Sequence, residues 1–309
     1  MTHKLILAVF LLLPHTGLTA EPEITRDDGS AVEYYLDNPD SDSLLVVFHG
    51  SDCNSVRHSN SIKQIWQTLQ HDAALLTIEK YGIDESLAHK TGERDDCPAD
   101  YLQHNSITQR VADAELVLQK IMKSDKYDFQ NLVMTGGSEG GSVALAVAAK
   151  IPKLDAVIAI NAGSASFQHD VEYSIGKTVP AEQLPDVLAG FRGFAEQIKT
   201  TDEPFAMTMS GHGYSFWKDA LGRNLHAPLN HISAPVLIMQ SANDESVDPV
   251  NTEHEIKTII ATGASNIELR MLPGLNHGFR DSAGDSQLEA VLEEAAQWLT
   301  NQPQIAPLP

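Results

Sequence analysis

The sequence has few basic residues. Lys and Arg together number 21, against 42 Asp and Glu, so the formal net charge of the 309-residue chain is −21 at pH 7. A surface of this sign repels the phosphate groups of nucleic acids and anionic membranes, which argues against nucleic acid as a partner. The charge favours a neutral or cationic ligand over a polyanion and leaves the reaction type open.

Several other patterns are missing. No H-E-x-x-H or C-x-x-C motif and no carboxylate-rich loop with ligand spacing occurs, so we expect neither a metal nor another cofactor. Beyond the N-terminus, no apolar run is long enough to span a membrane. No low-complexity linker or internal repeat divides the chain, whose length suits one large α/β domain or two small ones.

The first 20 residues have the pattern of a secretory signal peptide. One lysine precedes an apolar run from Leu5 to Leu13, which is broken at Pro14, and small residues lead to Ala20. This run is too short for a permanent transmembrane helix. We expect cleavage after Ala20, export to the periplasm or medium, and one catalytic domain over 21–309.

Cysteine is scarce: Cys53 and Cys97 are the only two. An even count in an oxidising compartment favours a disulfide, and only one pairing is available. The alternative is a pair of buried free thiols.

One serine stands among four glycines in "LVMTGGSEGGSVALAVAAK" (132–150). The stretch Gly136-Gly137-Ser138-Glu139-Gly140 is a G-x-S-x-G sequence between an apolar, strand-like run and an alanine-rich, helix-like one. In a tight strand-to-helix turn that exposes a serine hydroxyl, the glycines two positions away leave room for closely packed backbone. The alternatives are a turn in which Ser138 is a helix N-cap, and a phosphate-binding loop.

Strand-like and helix-like segments alternate along the chain. The helix-like segments lie near 57–70, 105–124, 139–150, 249–262 and 285–300, and the strand-like runs lie at 31–37, 44–50, 73–80, 131–136, 154–161, 235–241 and 267–273. Continuous apolar strands that alternate with helices predict an α/β fold with a mostly parallel central sheet and helices on both faces.

Chemically useful side chains follow several of these strands. Ser138, Asp244 and His277 each come just after a predicted buried strand, and His49-Gly50-Ser51 follows another. Working residues gather at the carboxyl ends of parallel strands. The order serine, acid, histidine therefore predicts an acyl-transfer site at this edge of the sheet.

On these residues the chain resembles the α/β-hydrolases. It is most similar to the branch with dienelactone hydrolases and the catalytic domains of prolyl-oligopeptidase-type enzymes, where "H-G" follows a central strand and a tripeptide such as His277-Gly278-Phe279 carries the histidine. The resemblance covers nearly all of 21–309. It departs from dienelactone hydrolases proper, whose nucleophile is cysteine, and from lipases with an H-G-G-G loop.

The resemblance implies a role for each residue. Ser138 attacks the carbonyl carbon, His277 transfers the proton, and Asp244 orients the imidazole. The family's acid loop aligns with Asp244, whereas Asp248 precedes a proline and is better explained as a helix N-cap. Backbone N–H groups of Ser51 and Glu139 would form the oxyanion hole.

Two further features surround the predicted site. Cys53 lies in the loop after the "H-G" pair, and Cys97 lies in the long loop 82–105 after the neighbouring strand, so a bond between them is geometrically reasonable. The interval 163–232 is much longer than a usual connection, and we expect a helical cap. Its aromatic residues could line a substrate pocket or form the core of the cap: Tyr214, Phe216 and Trp217.

The sequence therefore predicts an exported serine hydrolase that cleaves a small-molecule carboxylic ester without a cofactor. A serine peptidase acting on short peptides is one alternative, since the same three residues can cleave amides. A catalytically silent binding protein on a hydrolase scaffold is another. The natural substrate and the oligomeric state stay open.

Overall fold

A seven-stranded sheet forms the centre of the molecule. The computed structural model describes residues 24–92 and 94–303, so the predicted signal peptide at 1–20 lies outside the described residues. The strands are β1 (Tyr34–Asp37), β2 (Ser43–Phe48), β3 (Ala74–Ile78), β4 (Asn131–Gly137), β5 (Ala156–Ile160), β6 (Val236–Ser241) and β7 (Ile267–Leu272). Their order is β1-β3-β2-β4-β5-β6-β7, and every pair is parallel except β1 with β3.

Both faces of the sheet are covered, as the continuous apolar strands predict. Along β2, the side chains alternate between the two cores: Leu44 and Val46 belong to one cluster, and Leu45 and Val47 belong to the other. The first cluster packs under α3 (Ile107–Lys123), α4 (Glu139–Ala148) and α8 (Pro249–Ala261), and the second under α1 (Asn60–Gln70) and α9 (Leu288–Thr300). This arrangement confirms the predicted fold class.

The connection between β5 and β6 is helical. It contains α5 (Phe167–Thr178), α6 (Leu184–Thr200) and α7 (Tyr214–Gly222), and the short α2 (Ala99–His104) packs against α7. We call 163–232 the helical segment. Its apolar side chains form a separate cluster around Phe191, Phe216 and Trp217. Within the described part of the chain, no helix is both long and apolar enough to cross a membrane.

Candidate active site

The turn between β4 and α4 holds Ser138 in an unusual backbone conformation. Its φ is 54° and its ψ is −132°, a combination that L-residues seldom adopt and that the surrounding structure must enforce. The Ser138 N–H donates to the carbonyl oxygen of Ile160 on the neighbouring strand at 2.9 Å. The turn therefore fixes the serine backbone at the carboxyl end of the sheet.

The two flanking glycines are required by close backbone contacts. A Cβ on Gly136 would lie 2.4 Å from the carbonyl carbon and oxygen of Gly140. A Cβ on Gly140 would lie 2.2 Å from the carbonyl oxygen of Phe48, at the end of β2. Neither position has space for a methyl group, because backbone atoms occupy it. The geometry is that expected of a G-x-S-x-G turn, and not that of a loosely packed glycine-rich loop.

The structure brings Ser138, His277 and Asp244 together. Nε2 of His277 lies 3.2 Å from Oγ of Ser138, and Nδ1 lies 2.8 Å from Oδ2 of Asp244. The Asp244 side chain is buried and the His277 side chain is about one-quarter exposed. A hydroxyl, an imidazole and a carboxylate in this series can pass a proton from the serine to the histidine while the carboxylate stabilises the imidazolium.

The two candidate acids have different environments. Oδ1 of Asp244 also accepts the N–H groups of Ser246 and Val247 at 2.8 and 2.9 Å. Asp248 is the N-cap of α8, where its Oδ1 accepts the N–H groups of Val250 and Asn251 at 3.1 and 3.2 Å. Only Asp244 of this pair contacts His277, in agreement with the prediction that Asp248 is a helix cap.

The pKa of His277 is raised above its ordinary value. Burial alone lowers this pKa, because it disfavours the charged imidazolium, but the hydrogen bond and charge of Asp244 outweigh burial, and Glu245 and Asp170 add to the effect. Oε2 of Glu245 also accepts the backbone N–H of His277 at 3.2 Å. Acidic neighbours thus favour the protonated histidine that forms when it removes a proton from Ser138.

Three polar residues that were not predicted from the sequence hold Asp244 and His277 in place. Nε2 of Gln240 donates to Oδ2 of Asp244 at 3.1 Å, and the Tyr173 hydroxyl donates to the Asp244 carbonyl oxygen at 3.0 Å. Nδ2 of Asn161 donates to the carbonyl oxygen of His277 at 3.1 Å. Asn161 directly follows β5, and a polar residue at the carboxyl end of a parallel strand is a signal that the sequence contains. Tyr173 comes from α5 and depends on how that helix packs.

The two residues predicted to supply oxyanion donors, Ser51 and Glu139, border the same cavity as Ser138 and His277. Arg110 of α3 connects the chain segments that carry them. Nη1 of Arg110 pairs with the Glu139 carboxylate, and Nη2 donates to the carbonyl oxygen of His49 at 2.6 Å. One buried guanidinium therefore fixes the start of α4 against the loop that contains Ser51.

His49 lies behind this loop in a buried position. Burial and the charge of Lys80 lower the pKa of His49 below its ordinary value, although Asp52 acts in the opposite direction. Lys80 is itself fully buried, and its ammonium donates to the carbonyl oxygen of Asp52. These contacts favour the interpretation of His49 as a neutral residue that shapes the loop.

The predicted disulfide between Cys53 and Cys97 is present, with the two Cα atoms 5.8 Å apart. Cys53 is buried directly after the loop at Ser51, and Cys97 precedes α2. The bond therefore connects the loop beside Ser138 to the long loop that follows β3.

A cavity of about 510 Å³ opens over Ser138 and His277. The helical segment supplies most of its apolar wall, together with Ile107 of α3: Phe167, Val171, Ile175, Phe216, Trp217 and Leu225. Polar side chains on the wall include Ser174, Thr178, Ser210 and His212. Among the described residues, no group of three or more His, Cys, Asp or Glu side chains could hold a metal ion. The cavity suits a small, largely apolar molecule with a few polar groups.

The three aromatic residues predicted as pocket candidates separate into two groups. Phe216 and Trp217 line the cavity. Tyr214 does not: its ring lies 5.2 Å from that of Phe205 and its hydroxyl donates to the carbonyl oxygen of Thr201. The pocket assignment of Tyr214 is therefore corrected. Tyr214 is the first residue of α7, and its side chain packs in the core of the helical segment. The spacing of the aromatic residues along the sequence does not show which of them face the cavity.

Comparison with known proteins links part of the chain to a sequence family. A sequence model of the prolyl oligopeptidase family matches residues 188–304, a stretch that includes Asp244 and His277. No curated protein matches the sequence significantly.

Solved structures with the same fold share little sequence with the chain. Est1E from Butyrivibrio proteoclasticus, solved with ferulic acid, is 18% identical, with a TM-score of 0.56 over 91% of this chain and 98% of its own. A protein from Klebsiella pneumoniae classed as a dienelactone hydrolase is 15% identical, with a TM-score of 0.56 over 91% and 98%. A puromycin-hydrolysing peptidase from Mycobacterium tuberculosis is 16% identical, with a TM-score of 0.58 over 91% of this chain and 38% of its own. The chain therefore has the α/β-hydrolase fold, and its residues 188–304 are similar in sequence to the prolyl oligopeptidase family.

Proposed function

We propose that the protein is a serine hydrolase that cleaves carboxylic esters through an acyl-enzyme. The observation that carries the proposal is the 3.2 Å contact between Oγ of Ser138, on its strained turn, and Nε2 of His277. Ser138 attacks the ester carbonyl while His277 takes its proton, and His277 then returns that proton to the leaving alcohol. Water repeats the sequence on the acyl-enzyme, which releases the acid and restores Ser138.

The same proposal assigns the oxyanion hole to the backbone N–H groups of Ser51 and Glu139. Glu139 is the first residue of α4, where N–H groups have no partner within the helix and the helix dipole favours negative charge. The side chain of Glu139 is occupied by Arg110 and takes no part in the chemistry. Two fixed donors stabilise the negative oxygen of the tetrahedral intermediate without needing to reorganise.

An ester substrate is favoured by the size and lining of the cavity. The wall is largely apolar, and its acidic residues are Glu139 and Asp170. Glu139 pairs with Arg110, and Asp170 already accepts two backbone N–H groups. Among the described residues that line the cavity, no free pair of carboxylates is thus available to bind the amino terminus of a peptide. A peptidase acting on short peptides is the second candidate, because the prolyl oligopeptidase family is the one whose sequence model matches.

We also propose that the helical segment is a cap that sets substrate specificity and that the protein is exported. The cap assignment is supported by its separate apolar cluster and by its contribution to the cavity wall. Export is supported by the signal-peptide pattern at 1–20 and by the disulfide, which is typical of oxidising compartments.

The test is a substrate panel assayed with the purified protein lacking residues 1–20. We expect hydrolysis of 4-nitrophenyl esters of short acids, no comparable hydrolysis of 4-nitroanilides of short peptides, and loss of activity in Ser138→Ala. Faster cleavage of the anilides would favour the peptidase, and a folded protein inactive on both series would favour the binding protein.

A further inference from the structure

His212 lies on the wall of the active-site cavity and is held in one orientation. It directly precedes the N-cap of α7 and is 7% exposed. Its ring stacks on Phe216, with centroids 3.7 Å apart and planes 16° from parallel. Its backbone exchanges hydrogen bonds with Met209 at 2.9 and 3.0 Å, which closes a tight turn. The imidazole is therefore held in one place on the cavity wall.

The hydrogen bonds of Tyr101 determine which ring nitrogen carries the proton. The Tyr101 hydroxyl lies 3.1 Å from the carbonyl oxygen of Ser51 and 3.2 Å from Nδ1 of His212. A carbonyl oxygen can only accept, and the hydroxyl has one proton, so Tyr101 donates to Ser51. Nδ1 must then carry hydrogen and donate to the Tyr101 oxygen.

Nε2 of His212 is consequently an acceptor. Burial lowers the pKa of His212 to about 4, despite the opposing charge of Glu139, so at neutral pH the ring is uncharged and has a single N–H. With that N–H on Nδ1, Nε2 holds a free lone pair. It makes no hydrogen bond to any residue in the described ranges 24–92 and 94–303.

We propose that Nε2 of His212 accepts a hydrogen bond from a hydroxyl group of the substrate, so that the preferred substrates are esters of hydroxy acids. The proposal rests on the proposed function. Tyr101 connects His212 to the carbonyl oxygen of Ser51, whose N–H we assign to the oxyanion hole, and His212 and Ser51 both line the cavity. The remaining apolar wall, which includes Trp217 and Phe167, accommodates the hydrocarbon part of the acid.

The energetic reason is the cost of leaving a polar atom unpaired. A substrate without a hydroxyl removes water from Nε2 and offers no replacement donor. Sites built to bind a substrate hydroxyl discriminate strongly against the analogue that lacks it. We expect a preference of about tenfold or more in kcat/KM.

The experiment compares phenyl esters of butanoic, 2-hydroxybutanoic and 3-hydroxybutanoic acid, each corrected for its uncatalysed hydrolysis. The wild type should prefer at least one hydroxy ester over the butanoate by about tenfold or more. His212→Phe keeps an aromatic ring against Phe216 but has no acceptor. In this variant, the kcat/KM of the preferred hydroxy ester divided by that of the butanoate should fall to about one. If His212 had only a structural role, the substitution would change kcat/KM for the hydroxy ester and for the butanoate by the same factor, and their ratio would stay the same.

Two outcomes would overturn the proposal: a wild-type ratio of about one for both hydroxy esters, or an unchanged ratio in folded His212→Phe. A wild-type ratio of about one overturns the proposal even if the variant does not fold. Fluorophosphonate labelling of wild-type Ser138 separates this failure from failure of the proposed function. A labelled enzyme with no preference refutes only the role of His212, whereas an unlabelled, inactive protein refutes the serine hydrolase itself.

Discussion

Alanine at Gly140 tests the close packing that holds the serine turn in place. The added Cβ would lie 2.2 Å from the carbonyl oxygen of Phe48 and 2.8 Å from that of His49. Both contacts are with backbone, so β2 and α4 must move apart to relieve them. Overpacking of this kind costs about 1–3 kcal/mol, and we expect the upper part of that range because backbone atoms must move. The higher helix propensity of alanine returns about 1 kcal/mol, which leaves a net loss of about 1–2 kcal/mol.

The matched control is Gly193→Ala in α6. This glycine is exposed, and an added Cβ would meet no atom within 4 Å. The control should raise the free energy of unfolding by about 0.5–1 kcal/mol, because alanine restricts the unfolded chain. The change from glycine to alanine should thus lower the free energy of unfolding at position 140 and raise it at position 193. Urea denaturation followed by circular dichroism measures both changes.

Activity gives a second measure of the Gly140 substitution. The displaced carbonyl groups begin the loop that carries Ser51, so Gly140→Ala should lower kcat more than it raises KM, while Gly193→Ala should leave both unchanged. A Gly140→Ala protein as stable and as active as the wild type would refute the tight packing of the turn.

Four further predictions follow from individual contacts. Asp244→Asn should lower kcat about 10⁴-fold by stabilising the wrong tautomer of His277. Only neutral His277 accepts the proton, and Asp244 raises the pKa of His277, so kcat/KM should rise with pH and the midpoint of this rise should lie above the pKa of an ordinary histidine. In the residual activity of Asp244→Asn, the midpoint should lie at a lower pH. Arg110→Met leaves a buried carboxylate unpaired and should cost about 3–5 kcal/mol in thermal or urea unfolding, with Arg110→Lys closer to the wild type; equal stability of all three would contradict the contact. Cys53→Ser should cost about 2–4 kcal/mol, and thiol titration of the denatured, unreduced wild type should find no free thiol.

The strands and the residues that follow them could be predicted from the sequence, because local pattern decides both. A run such as "LLVVF" is apolar at every position only if both sheet faces are covered, and parallel strands end at one edge. Ser138, Asp244 and His277 therefore approach one another by topology. The glycines at 136 and 140 mark the turn because no other residue has space there.

The supporting contacts that come from helices could not be predicted, because they depend on how those helices pack. Arg110 lies 29 residues from its partner Glu139. Its spacing from Ile107 and Ala114 places it on the apolar face of α3, but no local pattern identifies its partner. Tyr173 and His212 reach the site from the helical segment, whose orientation has no signature in the sequence. For the same reason the assignment of Tyr214 to the pocket was wrong, although its neighbour Phe216 lines the cavity.

The central claim is that Ser138 is an activated nucleophile. The most direct test is reaction of the folded protein, lacking residues 1–20, with a fluorophosphonate, followed by mass spectrometry of its peptides. Ser138→Ala serves as the control. We expect one adduct, on Ser138, and none in the variant; a correctly folded wild type that forms no adduct, or forms it on another residue, would contradict the account.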